Sequence, residues 1–306
     1  MKNKYVDIKG VKLIFTKCKE LVGNSGGTGG SEDKTKLMTT NKTSLVDAIN
    51  ELYDAMFNVG YNMSAWQDSN ITTGTCKAFA VAKDGTLVVG GNDNTGIKYS
   101  TDNGKTWQDS NITSGNYYAF AVAGDGTLVT SGTGIKYSID NGKTWQDSNI
   151  TTGTCKAFAV AKDGTLVAGS SARIKYSTDN GKTWQDSNVT SGIYAVFAVA
   201  KDGTLVAGSS AGIKYSTDNG RTWQDSNITS KSYKSFAVAK DGTLVAGGND
   251  NTGIKYSTDN GKTWQDSNLT SGNYYAFAVA KDGTLVAGGT GIKYCPFTKV
   301  PKWESA

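Results

Sequence analysis

The side chains available for chemistry in this 306-residue chain are few in kind. There is no histidine, arginine occurs only at Arg173 and Arg221, and glutamate only at Glu20, Glu32, Glu51 and Glu304. A histidine triad, a zinc–histidine centre and a histidine general base are therefore excluded. Aspartate, asparagine, lysine and tyrosine remain, and they recur at fixed spacing. The octapeptide Ser-x-Asp-x-Gly-x-Thr-Trp runs from Ser100 to Trp107 and returns at Ser138, Ser177, Ser216 and Ser257. Its carboxylate (Asp102, Asp140, Asp179, Asp218, Asp259) can accept hydrogen bonds from N–H groups of its own turn. Its glycine can take positive φ, and its tryptophan offers a large apolar face. These aspartates are expected to be structural, neither catalytic nor metal-binding. Cys18, Cys76, Cys155 and Cys295 show no metal-type spacing and are expected as free thiols. No metal and no cofactor are expected.

The elements that position these residues are themselves repeated. Trp66, Trp107, Trp145, Trp184, Trp223 and Trp264 recur every 38 to 41 residues, each opening Trp-Gln-Asp-Ser-Asn. Phe-Ala-Val-Ala, Asp-Gly-Thr-Leu-Val and Ile-Lys-Tyr follow in each unit. The runs are short, strand-like and bounded by Gly and Asp. The Asp-Gly between the first two predicts a tight hairpin with positive φ at both central residues. Each unit is thus a four-stranded antiparallel meander. Six of them predict an all-β fold, a six-bladed β-propeller.

The octapeptide resembles the Asp-box, or bacterial neuraminidase repeat. The resemblance covers residues 66–294, and it implies that each box is a turn between the third and fourth strands of a propeller blade. The chain starts this region with a fourth strand at Ala65-Trp66-Gln67-Asp68. It ends it with a third strand at Ile292-Lys293-Tyr294. The expectation is that the Trp66 strand completes the last blade, removing two open sheet edges. The tail 295–306, with two prolines and Trp303, would pack outside.

The copies differ mainly in two loops, those before strand one and those between strands two and three. A meander sends both to one face, so variation gathers there, as a display surface requires. Asn116, Tyr117, Tyr118, Tyr194, Tyr233, Asn273, Tyr274 and Tyr275 are the candidate ligand-binding residues of the first loop. Asn92, Asp93, Asn249 and Asp250 are those of the second. Tyrosine platforms with amide hydrogen bonds suit a sugar or a protein epitope. Some of these tyrosines must face inward as strand residues. A calcium site at Asn92-Asp93-Asn94 would want more carboxylates.

Residues 1–64 do not repeat. Gly23 to Gly30 reads as a flexible linker, so 1–30 are expected to be an attachment peptide and linker. Ser44-Leu45-Val46-Asp47 reads as a helix start. Leu45, Ile49, Leu52, Met56 and Val59 then form an apolar seam, giving 31–64 as a short helical arm. The arm either lies on the propeller or oligomerises, with Leu45, Ile49, Leu52 and Met56 as its contacts and a trimer as the first expectation. The segment Thr39–Leu52 is similar to one in phage and prophage virion proteins such as tail fibres. That resemblance implies docking of the arm on other virion proteins.

Charge and composition restrict the partners. The net charge of +5 comes from interspersed Lys and Asp, not a basic stripe, so no nucleic-acid partner is expected. No run of 18 apolar residues exists, so no membrane insertion is expected. The Val11–Phe15 stretch is too short for a secretory core, so synthesis in a host bacterial cytoplasm is expected, followed by residence in the virion. The function expected is non-enzymatic: a fibre or receptor-binding type virion protein whose variable face binds a bacterial surface glycan or protein. The alternative is a structural or decoration protein of the virion. A sialidase is remote: active members use an arginine triad and a Tyr/Glu nucleophile pair, and no glutamate lies between Glu51 and Glu304.

Overall fold

The computed structural model describes residues 66–71, 74–171 and 173–296. The attachment peptide, the arm with Leu45, Ile49, Leu52 and Met56, and the tail from 297 lie outside the described residues. By compactness the chain divides into Met1–Trp66 and Gln67–Ala306.

Among the described residues every regular element is a strand. Blade 1 holds β1 (Cys76–Val81), β2 (Leu87–Gly91), β3 (Ile97–Ser100) and β4 (Gln108–Asp109). Blade 2 holds β5 (Ala119–Val122), β6 (Leu128–Gly132), β7 (Gly134–Ser138) and β8 (Gln146–Asp147). Blade 3 holds β9 (Cys155–Val160), β10 (Leu166–Ser170), β11 (Ile174–Ser177) and β12 (Gln185–Asp186). Blade 4 holds β13 (Tyr194–Val199), β14 (Leu205–Ser209), β15 (Gly212–Ser216) and β16 (Gln224–Asp225). Blade 5 holds β17 (Tyr233–Val238), β18 (Leu244–Gly248), β19 (Lys255–Ser257) and β20 (Gln265–Asp266). Blade 6 holds β21 (Tyr274–Val279), β22 (Leu285–Gly289) and β23 (Gly291–Cys295). Each sheet is an antiparallel meander in chain order. The first strands β1, β5, β9, β13, β17 and β21 neighbour one another in that sequence and so line the inside of the array. This is the six-bladed, all-β propeller architecture that the repeat predicts.

The hairpin between the first two strands differs in detail from the expectation. Gly85 N–H donates to Ala82 O (3.0 Å) and Ala82 N–H to Thr86 O (2.8 Å). Only the glycine takes positive φ (90°), while Asp84 accepts from Thr86 N–H through Oδ1 (2.9 Å). The turn is a type I turn closed by a glycine bulge, because the Asp side chain holds its own residue in the right-handed region.

The octapeptide is the turn between strands three and four. In blade 3, Ser177 Oγ donates to Asp179 Oδ1 (2.8 Å) and accepts from Gly181 N–H (2.9 Å). Asp179 accepts from Thr183 N–H (2.9 Å) and Thr183 Oγ1 (2.6 Å), and Trp184 Nε1–H donates to Gly181 O (2.9 Å). Asn180 and Gly181 sit at φ 61° and 89°, the left-handed pair that reverses the chain.

The core lies between blades, because each inner sheet buries both faces against neighbours. At the joint of blades 3 and 4, Val167 and Ile174 pack against Leu205, Ala207 and Trp223. Equivalent clusters take Trp145, Trp184 and Trp264 at three other joints. So the tryptophan of one blade fills the face of the blade before it. Asn188 ties the two together by donating to Trp223 O (3.0 Å) and accepting from Trp223 N–H (2.8 Å).

The expected completion of blade 6 is not formed. Its sheet has three strands, β21-β22-β23, and Trp66 is 92% exposed. Trp66-Gln67-Asp68 has no third strand beside it, so its backbone has no ladder to join.

Candidate functional site

The variable face carries two layers, and the structure separates them. Four of the six candidate tyrosines, Tyr117, Tyr194, Tyr233 and Tyr274, are buried in or beside the inter-blade clusters. They plug the joints and cannot meet a ligand. Burial and the nearby Asp266 carboxylate push the Tyr233 hydroxyl up to about 12, and burial likewise raises Tyr117 and Tyr194. None of the three can serve as a base near neutral pH. Burial also pushes the Cys155 thiol up to about 11, which makes it an inert core residue.

The aspartate candidates, Asn116 and Asn273 are also occupied, whereas Asn92 Oδ1 is buried without a hydrogen-bond partner among the described residues. Asp93 Oδ2 accepts from Thr75 N–H (2.8 Å), and Asn116 Oδ1 accepts from Asn94 N–H (2.8 Å). Asn94 Oδ1 in turn accepts from Gly115 N–H. Blade 5 repeats the device: Asp250 accepts from Ser232 N–H (3.2 Å), Asn273 from Asn251 N–H (2.8 Å), and Asn251 from Gly272 N–H. The backbone amides of Asn92 and Asn249 bond Thr75 O and Ser232 O (both 3.0 Å). These clusters are latches that bolt blade 1 to blade 2 and blade 5 to blade 6. Asp93, Asn94, Asp250 and Asn251 all take positive φ, which Asn and Asp tolerate best among residues with a Cβ. No group of three metal-ligating side chains occurs among the described residues.

Tyr118 and Tyr275 remain, at 39% and 52% exposure. Both occupy one repeat position with a structural cause. The ladder between the first two strands slips by one residue near its start in blades 1, 3, 4, 5 and 6. The extra residue is Lys77, Lys156, Ala195, Lys234 or Tyr275, and Tyr118 is its equivalent in blade 2. A β-bulge leaves its extra residue unpaired and re-aims the side chain. Here it releases that side chain to solvent, while in blades 2 to 6 the preceding residue turns into the joint; in blade 1 that residue, Cys76, is exposed. All but Ala195 are exposed. The first strands line the inside of the array, so these positions lie around its inner mouth on the variable face. Three lysines and two tyrosines result, a surface with cationic heads and flat aromatic faces.

The lysines were missed from sequence, yet a signal was present. Aligning the copies gives one column of Cys76, Tyr117, Cys155, Tyr194, Tyr233 and Tyr274, which tolerates only buried types. The next column is Lys77, Tyr118, Lys156, Ala195, Lys234 and Tyr275, which holds polar and variable types. Reading the pair Tyr-Tyr as a unit hid that division.

The aspartates of the octapeptides are where the sequence places them, in turns on the opposite face. Hydrogen bonds from Thr106 hold the Asp102 carboxyl down at about 2. In Asp140, Asp179, Asp218 and Asp259 partial burial pushes the carboxyl up, but the bonds from Thr and Ser outweigh it and each lies below the ordinary range. Every one is a turn brace that is charged at neutral pH and held by hydrogen bonds.

Comparison with known proteins supports this reading. A family model described as the BNR/Asp-box repeat matches residues 98–109, 136–147, 175–186, 214–225 and 255–266. A search of curated proteins gave no match. Among solved structures, the extracellular domain assigned to a one-component system of B. thetaiotaomicron aligns with a TM-score of 0.57 at 12% identity, over 76% of this chain and 34% of that one. The chain thus spans about a third of that protein's length. Virginiamycin B lyase of Staphylococcus aureus, in an inactive variant with quinupristin, gives 0.56 at 14% identity over 76% and 87% of the two chains. A GH74 enzyme of Niastella koreensis gives 0.50 at 21% identity over 72% and 36%. At these identities the likeness is one of fold. What the chain carries is therefore five BNR/Asp-box repeats, set as the strand-connecting turns of a six-bladed all-β propeller.

Proposed function

We propose that this chain is a non-catalytic recognition module whose inner-mouth bulge residues bind a bacterial surface glycan. The observation that carries the reading is the exposure of Lys77, Tyr118, Lys156, Lys234 and Tyr275 at one repeated position. Tyrosine faces stack on sugar rings, and lysines pair with carboxylates or other acidic substituents, so an acidic glycan suits them best. Several shallow contacts of this kind give avidity rather than a single tight site. The setting on a phage or phage-like virion rests on the Thr39–Leu52 segment alone, as does docking of the arm on other virion proteins.

An enzymatic reading has little to draw on. The lyase variant of similar fold was inactivated by a histidine-to-alanine change, and this chain has no histidine. The polar groups of the octapeptide face recur from blade to blade, whereas a reaction centre needs an asymmetric set of groups.

The test is binding of the purified protein to intact bacteria and to an array of acidic and neutral glycans. A Tyr118→Ala/Tyr275→Ala variant and a Lys77→Ala/Lys156→Ala/Lys234→Ala variant are expected to lose binding at least tenfold while keeping the wild-type melting temperature. Wild-type protein that binds neither cells nor glycans would sink the proposal and favour a structural or decoration role.

A further inference from the structure

The two ends of the blade array are the two halves of one more joint. The joints inside the chain supply the template. In four of the five, the phenylalanine of the following blade covers a glycine of the preceding one: a Cβ at Gly90, Gly169, Gly208 or Gly247 would meet Phe120, Phe197, Phe236 or Phe277 at 2.9–3.1 Å, and Ser131 takes the glycine's place in blade 2. The octapeptide glycine lies on a valine of the preceding blade: a Cβ at Gly142, Gly181, Gly220 or Gly261 would lie 2.4 Å from Val88, Val129, Val167 or Val206. The octapeptide asparagine reaches back to a hairpin aspartate, as Asn219 Nδ2 does to Asp163 Oδ2 (2.8 Å).

At the outer ends each of these contacts is missing one partner. Nothing lies within 4 Å of a Cβ built on Gly288, while Phe79, the residue that would cover such a glycine, is 63% exposed. Gly104 meets only its own blade, and Val286 meets no octapeptide glycine. Asn103 and Asp282 make no asparagine–aspartate bond among the described residues. Within one chain these surfaces do not touch.

The missing fourth strand of blade 6 obeys the same template. A cleft of about 870 Å³ opens between blades 5 and 6, lined by Val245, Ile254, Leu269, Phe277, Leu285 and Ala287. These are the repeat equivalents of Val206, Ile213, Ile228, Phe236, Leu244 and Ala246, which enclose Trp264 at the joint of blades 4 and 5. Among the described residues the cleft is a tryptophan site without its tryptophan. On its rim Asn268, the equivalent of Asn227, has no tryptophan backbone to clasp. Trp66 is the matching side chain. Its strand carries Gln67 and Asp68 in the register in which Gln265 and Asp266 face Tyr256 and Lys255. Asn70 already clasps Trp107 (2.9 and 2.7 Å), as the asparagine after a fourth strand does elsewhere.

We infer that a second copy of this chain supplies Trp66-Gln67-Asp68 as the fourth strand of blade 6, so that the protein associates head to tail. Four packed joints with fully buried valine, isoleucine and leucine set the curvature of the array, and close packing resists the bending needed to bring its own ends together. Gln67 then pairs with Tyr294, Asp68 with Lys293, Trp66 enters the cleft, and Phe79 covers Gly288. Strand addition of this kind gives affinity through the main chain and register through the side-chain pocket. A heterologous contact closes into a ring of copies or extends into a filament.

The test uses the full chain with Cys18, Cys76 and Cys295 changed to Ser and Cys155 to Ala, checked for its β spectrum and melting temperature. Gln67→Cys protein is mixed with Tyr294→Cys protein and oxidised. A disulfide-linked pair joining the two different chains is expected, and adding Trp66→Ala to the first is expected to lower its yield roughly tenfold or more. Two results would overturn the inference. One is a link formed only inside single chains when both cysteines are placed in one chain (Gln67→Cys/Tyr294→Cys), which means the ring closes on itself. The other is no link in either format, which means that residues of the tail around Trp303, or nothing, occupy the cleft.

Discussion

A single aspartate in this protein acts through the turn it braces. Asp179 accepts from Thr183 twice and from Ser177, and those bonds form only with the charged carboxylate in the folded chain. Replacing it with alanine leaves the Thr183 N–H without its acceptor. An expected loss of about 1–2 kcal/mol in urea unfolding follows, with Asp179→Asn losing less because one acceptor survives. The same bonds set the acid limit. Carboxyls held below their ordinary 3.8 in the fold bind fewer protons there than in the unfolded chain. They stabilise the fold fully above about pH 4 and lose that contribution as pH falls toward the Asp102 value of about 2. Thermal melts from pH 7 to pH 2 should therefore be flat above pH 4 and fall steeply below it. A melting temperature that drops between pH 7 and pH 5 would contradict this, since no histidine is present to titrate there.

At the scale of the blade, two glycines with nearly the same φ do different work. Gly164 turns the first hairpin at φ 89° with open space where a Cβ would go. Gly220 turns the octapeptide at φ 88°, but a Cβ there would lie 2.4 Å from Val167 of the blade before. Gly164→Ala should cost only the left-handed strain, roughly 1–2 kcal/mol. Gly220→Ala adds overpacking of a closed joint, roughly a further 1–3 kcal/mol. Chemical denaturation of the two variants distinguishes them, and equal losses would mean that the joint yields. The octapeptide is thus conserved from blade to blade for two reasons at once: it turns the chain, and its glycine lets the next blade approach. The first hairpin needs only the turn, which the Asp84–Thr86 bond and one glycine provide.

For the molecule as a whole, repetition makes every inner joint alike and leaves the two ends unlike anything else. Trp223→Ala should cost roughly 3–5 kcal/mol, since it empties a closed joint. Trp66→Ala should leave the melting temperature of the dilute protein unchanged, because Trp66 touches little, and should act only on association. Scanning calorimetry at two protein concentrations separates the two: the wild type should melt higher when concentrated, and Trp66→Ala should not. The bulge lysines and tyrosines belong to this scale as well. No blade contributes more than one, and only the array brings them around one mouth.

The sequence by itself determined the blade. Six copies of a strand-turn-strand pattern, with Asp-Gly in all six and Asp-Asn-Gly in five at fixed offsets, dictate a meander because φ preferences and side-chain hydrogen bonds act within a few residues. The Asp-box aspartates were legible as braces for the same reason. The tertiary structure decided which of two adjacent residues faces solvent. Tyr274 and Tyr275 are chemically identical, and only the slip in the β21–β22 ladder sends one into the joint and the other to solvent. It decided that Asn92, Asp93, Asn249 and Asp250 fold onto Thr75 and Ser232 of their own blades while Asn94 and Asn251 reach the next blade, since those partners lie on loops distant in sequence. It also decided the state of the ends. The Trp66 strand has the right residues for blade 6, but pairing depends on whether packed joints curve enough to bring the two together, and joint curvature is a property of side chains meeting across blades.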